Sequence, residues 1–275
     1  MTVAVFLVSL LGAMAIGMPV AFALIVCALA LMLHLDRFDS QIVAQNLIIG
    51  ADNFQLLAVP FFLLAGELMN AGGLSRRIVR VAVTLVGHVH GGLGYVAIFA
   101  AVVMASLSGS AAADTAALAS ILIPMMRDAG YNLPRSAGLI AAGGVIAPVI
   151  PPSIGFIIFG VAANVSITQL FLGGVFPGLL MGLSLVLAWA WVVRRDQVAV
   201  FPRASWGERL RAAVDGVWAL AMPVIILGGI KFGVVTPTEA AVLAAVYALF
   251  VGLFIYRELK PVSYTHLTLP TILLV

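Results

Sequence analysis

Of 275 residues, 63% are hydrophobic and 9% charged, where a soluble domain shows roughly 45–50% and about 25%. At a mean hydropathy of +1.19 there is too little polar side chain to cover a compact globule, so most side chains must face lipid or other membrane helices. Most cytoplasmic enzyme classes, disordered chains and secreted disulfide-stapled chains are thereby excluded. The net charge of +3 is ordinary for an inner-membrane protein with basic cytoplasmic loops and does not argue for nucleic acid. The single cysteine, Cys27, lies in an apolar run and reads as a packing residue.

Met1 to Leu35 carries no charge; it lacks a basic leading region and is too long an apolar stretch for a cleavable signal peptide, so none is expected. As one helix it would run roughly 50 Å, well beyond a hydrocarbon core of about 30 Å. Gly17-Met18-Pro19 supplies the required break. A mildly acidic stretch from Asp36 to Asp52 leads to a span from Phe54 to Met69, and Arg76, Arg77 and Arg80 then mark a short amphipathic segment that reads as an interfacial helix.

From Leu93 to Met126 the chain is apolar at both ends, yet its centre is Ser106-Leu107-Ser108-Gly109-Ser110, with Asp114 just beyond. Two half-length helices meeting at a Ser/Gly tip describe a re-entrant hairpin, which is tolerated only where the tip is buried in protein or lines a wet cavity. The next apolar run, Ala137 to Ala163, is split by Pro148-Val149-Ile150-Pro151-Pro152-Ser153, a second discontinuity at membrane depth. Thr168 to Val193 reads as an ordinary span. Arg194 to Arg211 holds five arginines against Asp196 and Glu208 and is the clearest cytoplasmic loop. Val214 to Ile230 and Glu239 to Tyr256 follow as a pair of helices. With the hairpin entering and leaving on one side, every short basic segment falls on the same face. The openings Gly17-Met18-Pro19 and Val235-Thr236-Pro237 start similar helices of opposite direction, as an inverted repeat does.

Paired mid-membrane breaks are the pattern of discontinuous helices that build a transporter site. Freed carbonyls can hold a cation, and the half-helix N-termini near Ser110 and Ser153 can face an anion. Asp114, the one acid in the hairpin, is either functional or a cap for the tip. Glu239 reads as a capping-box residue behind Thr236, Glu67 as interfacial, and His88 and His90 flank a glycine break without a third ligand. No phosphate-binding Walker loop appears, so ATP hydrolysis is not expected.

The segments PFFLLAGELMNAGGLSRRIV from Pro60, GGLGY from Gly91, SGSAAADTAALASILIPMMRDAGY from Ser108, IPPSI from Ile150 and TPTEAAVLAAVYALFVGLFIYRELK from Thr236 resemble the large membrane subunit of the tripartite ATP-independent periplasmic (TRAP) transporters. The resemblance covers about residues 1 to 260. It implies an all-α polytopic membrane protein with an inverted-repeat fold, of which the first repeat and the start of the second are present. It also implies a sodium-driven, elevator-type importer in the bacterial inner membrane, in which a small membrane subunit and a periplasmic binding protein are partners and a small organic anion is the substrate. By analogy, sodium would meet the backbone carbonyls of Ser108, Ser110, Ala147, Ile150 and Pro152, with Ala147 where glycine is expected, and Ser110, Ser153 and Asp114 would serve the substrate.

The resemblance divides the chain into scaffold helices over 1–72, an interfacial helix over 73–92, the hairpin over 93–127, the broken helix over 136–164, a transmembrane helix over 168–193, a cytoplasmic loop over 194–211 and second-repeat scaffold helices over 212–260. The family's large subunit is longer, with a second hairpin and broken helix, so the natural reading frame is expected to continue past Lys260. Residues 261–275 are expected to be a non-native tail. Two other readings stand beside this one: a sodium–carboxylate or sulfate transporter that works without a binding protein, and a structural assembly subunit whose Ser106 to Ser110 only packs helices.

Overall fold

The computed structural model describes residues 1–194, 196 and 198–259; the expected tail over 261–275 lies outside the described residues. Every regular element among them is helical. The chain divides into two compact units, Met1–Asn53 and the remainder from Phe54.

In the first unit α1 (Thr2–Ala15) packs against α2 (Val20–His34), followed by α3 (Ser40–Ala51). The break between α1 and α2 falls at the expected place, with Gly17 at φ +84°, a conformation glycine adopts without the Cβ penalty. The Asp39 carboxylate caps α3 by accepting from the Gln41 amide at 2.8 Å.

The second unit opens with a 3-10 turn at Phe54–Leu57 and α4 (Ala58–Ala71). α4 packs against α12 (Pro237–Phe250). Both helices bury small residues, Ala58, Ala65 and Gly66 on α4 beside Phe62, Leu68 and Met69, and Ala240, Ala244 and Ala248 on α12, and small residues let two backbones approach closely. A π turn, Val251–Ile255, continues α12. α5 (Leu74–Val86) is amphipathic as expected: Leu74, Ile78, Val79 and Ala82 are buried while Arg76 and Arg80 are exposed, and it lies against α11 (Trp206–Lys231) and α6 (Gly92–Ser108).

α6 (Gly92–Ser108) and α7 (Ala111–Asp128) form a helical hairpin turned at Gly109. Their outer ends meet, because the Leu93 amide at the start of α6 donates to the Tyr131 hydroxyl just past α7 at 3.3 Å. Burial pushes the Tyr131 phenol above its ordinary pKa, and the Leu93 amide pulls it partly back. α8 (Leu133–Gly144) and α9 (Ile154–Ala163) are the halves of the broken helix, and α10 (Ile167–Val193) returns alongside them.

Two boundaries differ from the sequence reading. α8 begins three residues before 136, because the Asn132 side chain caps it by accepting from Arg135 N at 3.1 Å. The arginine-rich segment expected as a loop to 211 becomes helical at Trp206, where Ser205 and Glu208 form a capping box. Among the described residues four helices are long and apolar enough to cross a bilayer: Phe54–Ala71, Ile167–Val193, Trp206–Lys231 and Pro237–Ile255.

Candidate ion and substrate site

The hairpin tip and the helix break come together. Gly109 ends α6 at φ +61°, and a Cβ there would lie 2.6 Å from the Pro152 carbonyl oxygen and 3.2 Å from the Ile154 amide. Only a residue without a side chain, free to adopt the left-handed region, lets the two irregular stretches approach this closely. From behind, α10 offers Gly174 and Gly178 on one face. A Cβ at Gly174 would meet the Val149 carbonyl oxygen at 2.3 Å, and one at Gly178 would meet the Ile150 side chain at 2.2 Å. On the hairpin side, Gly144 at the end of α8 has no room for a methyl beside Thr115 of α7. The break is thus held from both sides by glycine contacts.

The polar groups of the break are partly used locally. Ser153 is fully buried; its hydroxyl donates to the Pro148 carbonyl at 2.6 Å and accepts from the Phe156 amide at 3.3 Å, so it both closes the turn and caps α9. Amides in the stretch before it donate to the carbonyls of Gly143, Gly144 and Ile146. Among the described residues, no hydrogen bond reaches the carbonyls of Ala147, Ile150 or Pro152. Their side chains are buried or nearly so, so these acceptors sit in an interior where an uncompensated polar group is costly.

At the tip, the Ser110 hydroxyl caps α7 by accepting from Ala113 N at 3.4 Å, and the Ser110 carbonyl accepts from Asp114 N at 3.0 Å. Asp114 stands in the first turn of α7 at 2% exposure, where a carboxylate complements the positive end of the helix dipole. The N-termini of α7 and α9, at Ser110 and Ser153, therefore flank the contact between tip and break. Of the expected site residues, the hairpin pair Ser108 and Ser110 and the break residues Ala147, Ile150, Pro152 and Ser153 belong to these two joined stretches.

The depth of this contact follows from α10. Its last turn is fastened to the hairpin base: the Trp189 indole N–H donates to the Gly91 carbonyl at 2.9 Å, its ring stacks on Tyr131 at 6.2 Å, and His90 Nε2 lies 3.0 Å from the Val193 carbonyl. Arg135 pairs with Asp196 at 2.8 Å at the same end. At 1.5 Å per residue, Gly178 is about 22 Å from that end and about 17 Å from Ile167. The tip and the break consequently lie near the middle of a membrane-length helix.

Sequence reasoning missed the cavity of about 270 Å³ along the first half of α7, lined by Glu67, Asn70, Ser75, Arg76, Ala113 and Ser120. Its lining comes from α4, α5 and α7, and the Ser75 hydroxyl donates to the Asn70 side chain. Glu67 is half-buried there. The four-residue spacing of Gly174 and Gly178 was a readable sign of close packing on one face of α10.

A family model described as "Tripartite ATP-independent periplasmic transporter, DctM component" matches residues 7–273. The chain belongs to this family. The matched range runs into the segment from 261 for which a departure was expected. The 2,3-diketo-L-gulonate TRAP transporter large permease protein of Escherichia coli K12 is 57% identical over 266 residues, covering 97% of this chain and 63% of that protein. The sialic acid TRAP transporter large permease protein of Vibrio cholerae is 43% identical over 249 residues, 90% of this chain and 58% of its own. The C4-dicarboxylate counterpart of the same organism is 41% identical over 262 residues, 95% of this chain and 58% of its own. The chain spans about three fifths of the length of the relatives it matches. TRAP permeases are transporters, not enzymes, and the apolar helices of this chain are those of a membrane protein.

Proposed function

We propose that this TRAP permease chain supplies one half of the ion and substrate site of a sodium-driven secondary transporter, with α6–α7 as a re-entrant hairpin and α8–α9 as a broken membrane helix. The observation that carries the reading is the meeting of Gly109 with the Pro152 carbonyl near the middle of α10, beside carbonyls at 147, 150 and 152 that no amide uses among the described residues. Sodium is a cargo ion here, held by the backbone carbonyls of Ser108, Ser110, Ala147, Ile150 and Pro152, because a hard cation favours oxygen ligands. The dipole ends of α7 and α9 at Ser110 and Ser153 attract the carboxylate of the substrate, while Asp114 steadies the first turn of α7.

The substrate class is a small organic anion. The relatives are named for a diketogulonate, a sialic acid and C4-dicarboxylates, which share a carboxylate. The working unit adds a small membrane subunit and a periplasmic binding protein, in the bacterial inner membrane, with Arg76 and Arg80 of α5, Arg127 of α7 and Arg194 after α10 on the cytoplasmic side. An inverted repeat would complete the site from the opposite face.

Replacing Ser108 and Gly109 by leucine in the complete permease tests the reading. An assembled complex that co-purifies with its small subunit but has lost uptake supports a site at the tip. Loss of assembly points instead to a stretch that only packs helices.

A further inference from the structure

A second polar cleft lies at the end of α11 that carries the arginines. Arg80 and Thr84 of α5, Arg203 and Ser205 of the preceding segment, and Arg211 of α11 line a cavity of about 1010 Å³. Two carboxylates also face it, and both have local partners: Asp215 is paired with Arg77 at 3.4 Å and Arg80 at 3.6 Å, and Glu208 is bound by the amide and hydroxyl of Ser205. Among the described residues neither Arg203 nor Arg211 makes an ion pair within 4 Å. Two guanidinium groups, each with a planar fork of donors suited to phosphate oxygens, are therefore presented to one cleft.

The cleft continues along α11 into an apolar groove. A cavity of about 490 Å³ shares Arg211 and Asp215 with it and is lined further along by Leu210, Val214, Trp218 and Ile255. Trp206, Leu210, Val214 and Trp218 recur every fourth residue, so they run up one side of the helix, with exposures of 84, 67, 63 and 43%. Positive charge at the helix start followed by an exposed apolar stripe matches the two ends of an anionic phospholipid.

We propose that this groove binds an anionic phospholipid, its phosphate between Arg203 and Arg211 and an acyl chain along the Trp206 to Trp218 face. No lining residue of the groove belongs to the hairpin tip or the helix break, and the proposal rests on the chain lying in a membrane, not on sodium binding. Charge complementarity selects lipid over an apolar protein helix, which would leave the two guanidinium groups without partners in a buried contact.

Native mass spectrometry of the chain in neutral detergent, with phosphatidylglycerol and phosphatidylcholine as probes, tests it. Phosphatidylglycerol should be retained at least tenfold better than phosphatidylcholine. The double variant Arg203→Gln/Arg211→Gln should lose about tenfold of that affinity, while Arg76→Gln, outside the groove, should stay within twofold. Should the double variant fail to fold, raising salt from 0.05 to 0.5 M must release the lipid from the unaltered chain to a similar degree. Equal retention of both lipids, or retention insensitive to the variant and to salt, would overturn the proposal. Glycerol phosphate competing as well as the intact lipid would assign the cleft to a free phosphate instead. Loss of the lipid on adding the small membrane subunit would assign the groove to that protein.

Discussion

Gly109 carries two constraints that can be separated. Its φ of +61° disfavours any side chain, and its missing Cβ makes room for the Pro152 carbonyl. Gly130 shares the first constraint, at φ +77°, without a neighbour within 4 Å. Gly130→Ala should cost about 1 kcal/mol, the left-handed penalty alone, and Gly109→Ala about 2 to 3 kcal/mol once overlap is added. Detergent-solubilised thermal unfolding of the two variants measures the difference; equal losses would mean the tip and the break do not touch. Tyr256 offers a pH test. Burial pushes its pKa up to about 12, against the pull of Arg77 whose guanidinium lies 3.6 Å over the ring, and its hydroxyl donates to the Asp215 carbonyl at 2.7 Å. The folded chain keeps this proton between the ordinary value of 10 and about 12 while the unfolded chain loses it, so stability falls as pH rises through that window. Tyr256→Phe should remove this part of the fall, seen as a flatter dependence of the melting temperature on pH; an unchanged slope would count against the buried hydroxyl.

Among the elements, the hairpin and the broken helix were the most legible in sequence. An apolar run too long for one crossing, with serine and glycine at its centre, conflicts with a continuous helix, and Pro148 to Ser153 conflicts with the next one. The beginning of α11 was less legible. Ser205-Trp206-Gly207-Glu208 has the spacing of a capping box, yet five arginines around it suggested a loop; the reciprocal Ser205 and Glu208 hydrogen bonds start the helix regardless of charge. Long-range partners left no local trace. Arg77 reaches Asp215 and Glu258, 138 and 181 residues away, and α12, which packs on α4, buries alanines that would suit any helix face. The fastening of α10 to the hairpin base is similar, since the spacing of Trp189 from Gly91 says nothing of their bond. Trp189→Phe keeps an aromatic ring but loses the indole donor to the buried Gly91 carbonyl and part of the packed volume, which should together cost about 2 to 4 kcal/mol. Accelerated hydrogen exchange confined to residues 88–94 and 186–193 would be the local readout, and protection unaltered in both segments would contradict the contact.

At the scale of the second unit, from Phe54 onward, the glycine contacts bring two half-helix ends to mid-length of α10 with three carbonyls that no hydrogen bond reaches among the described residues, while the arginines collect towards its last turn. A charge-poor interior with free acceptors and a basic rim suits an ion and an anion moving together, which a simple packing unit would not require. Sodium coupling at the proposed site is tested by reconstituting the complete permease with its small subunit and binding protein into liposomes and measuring organic-anion uptake with and without a sodium gradient. Uptake should need the inward sodium gradient and disappear when choline replaces sodium. Uptake undiminished in the absence of sodium would mean that the tip and break do not couple transport to this ion.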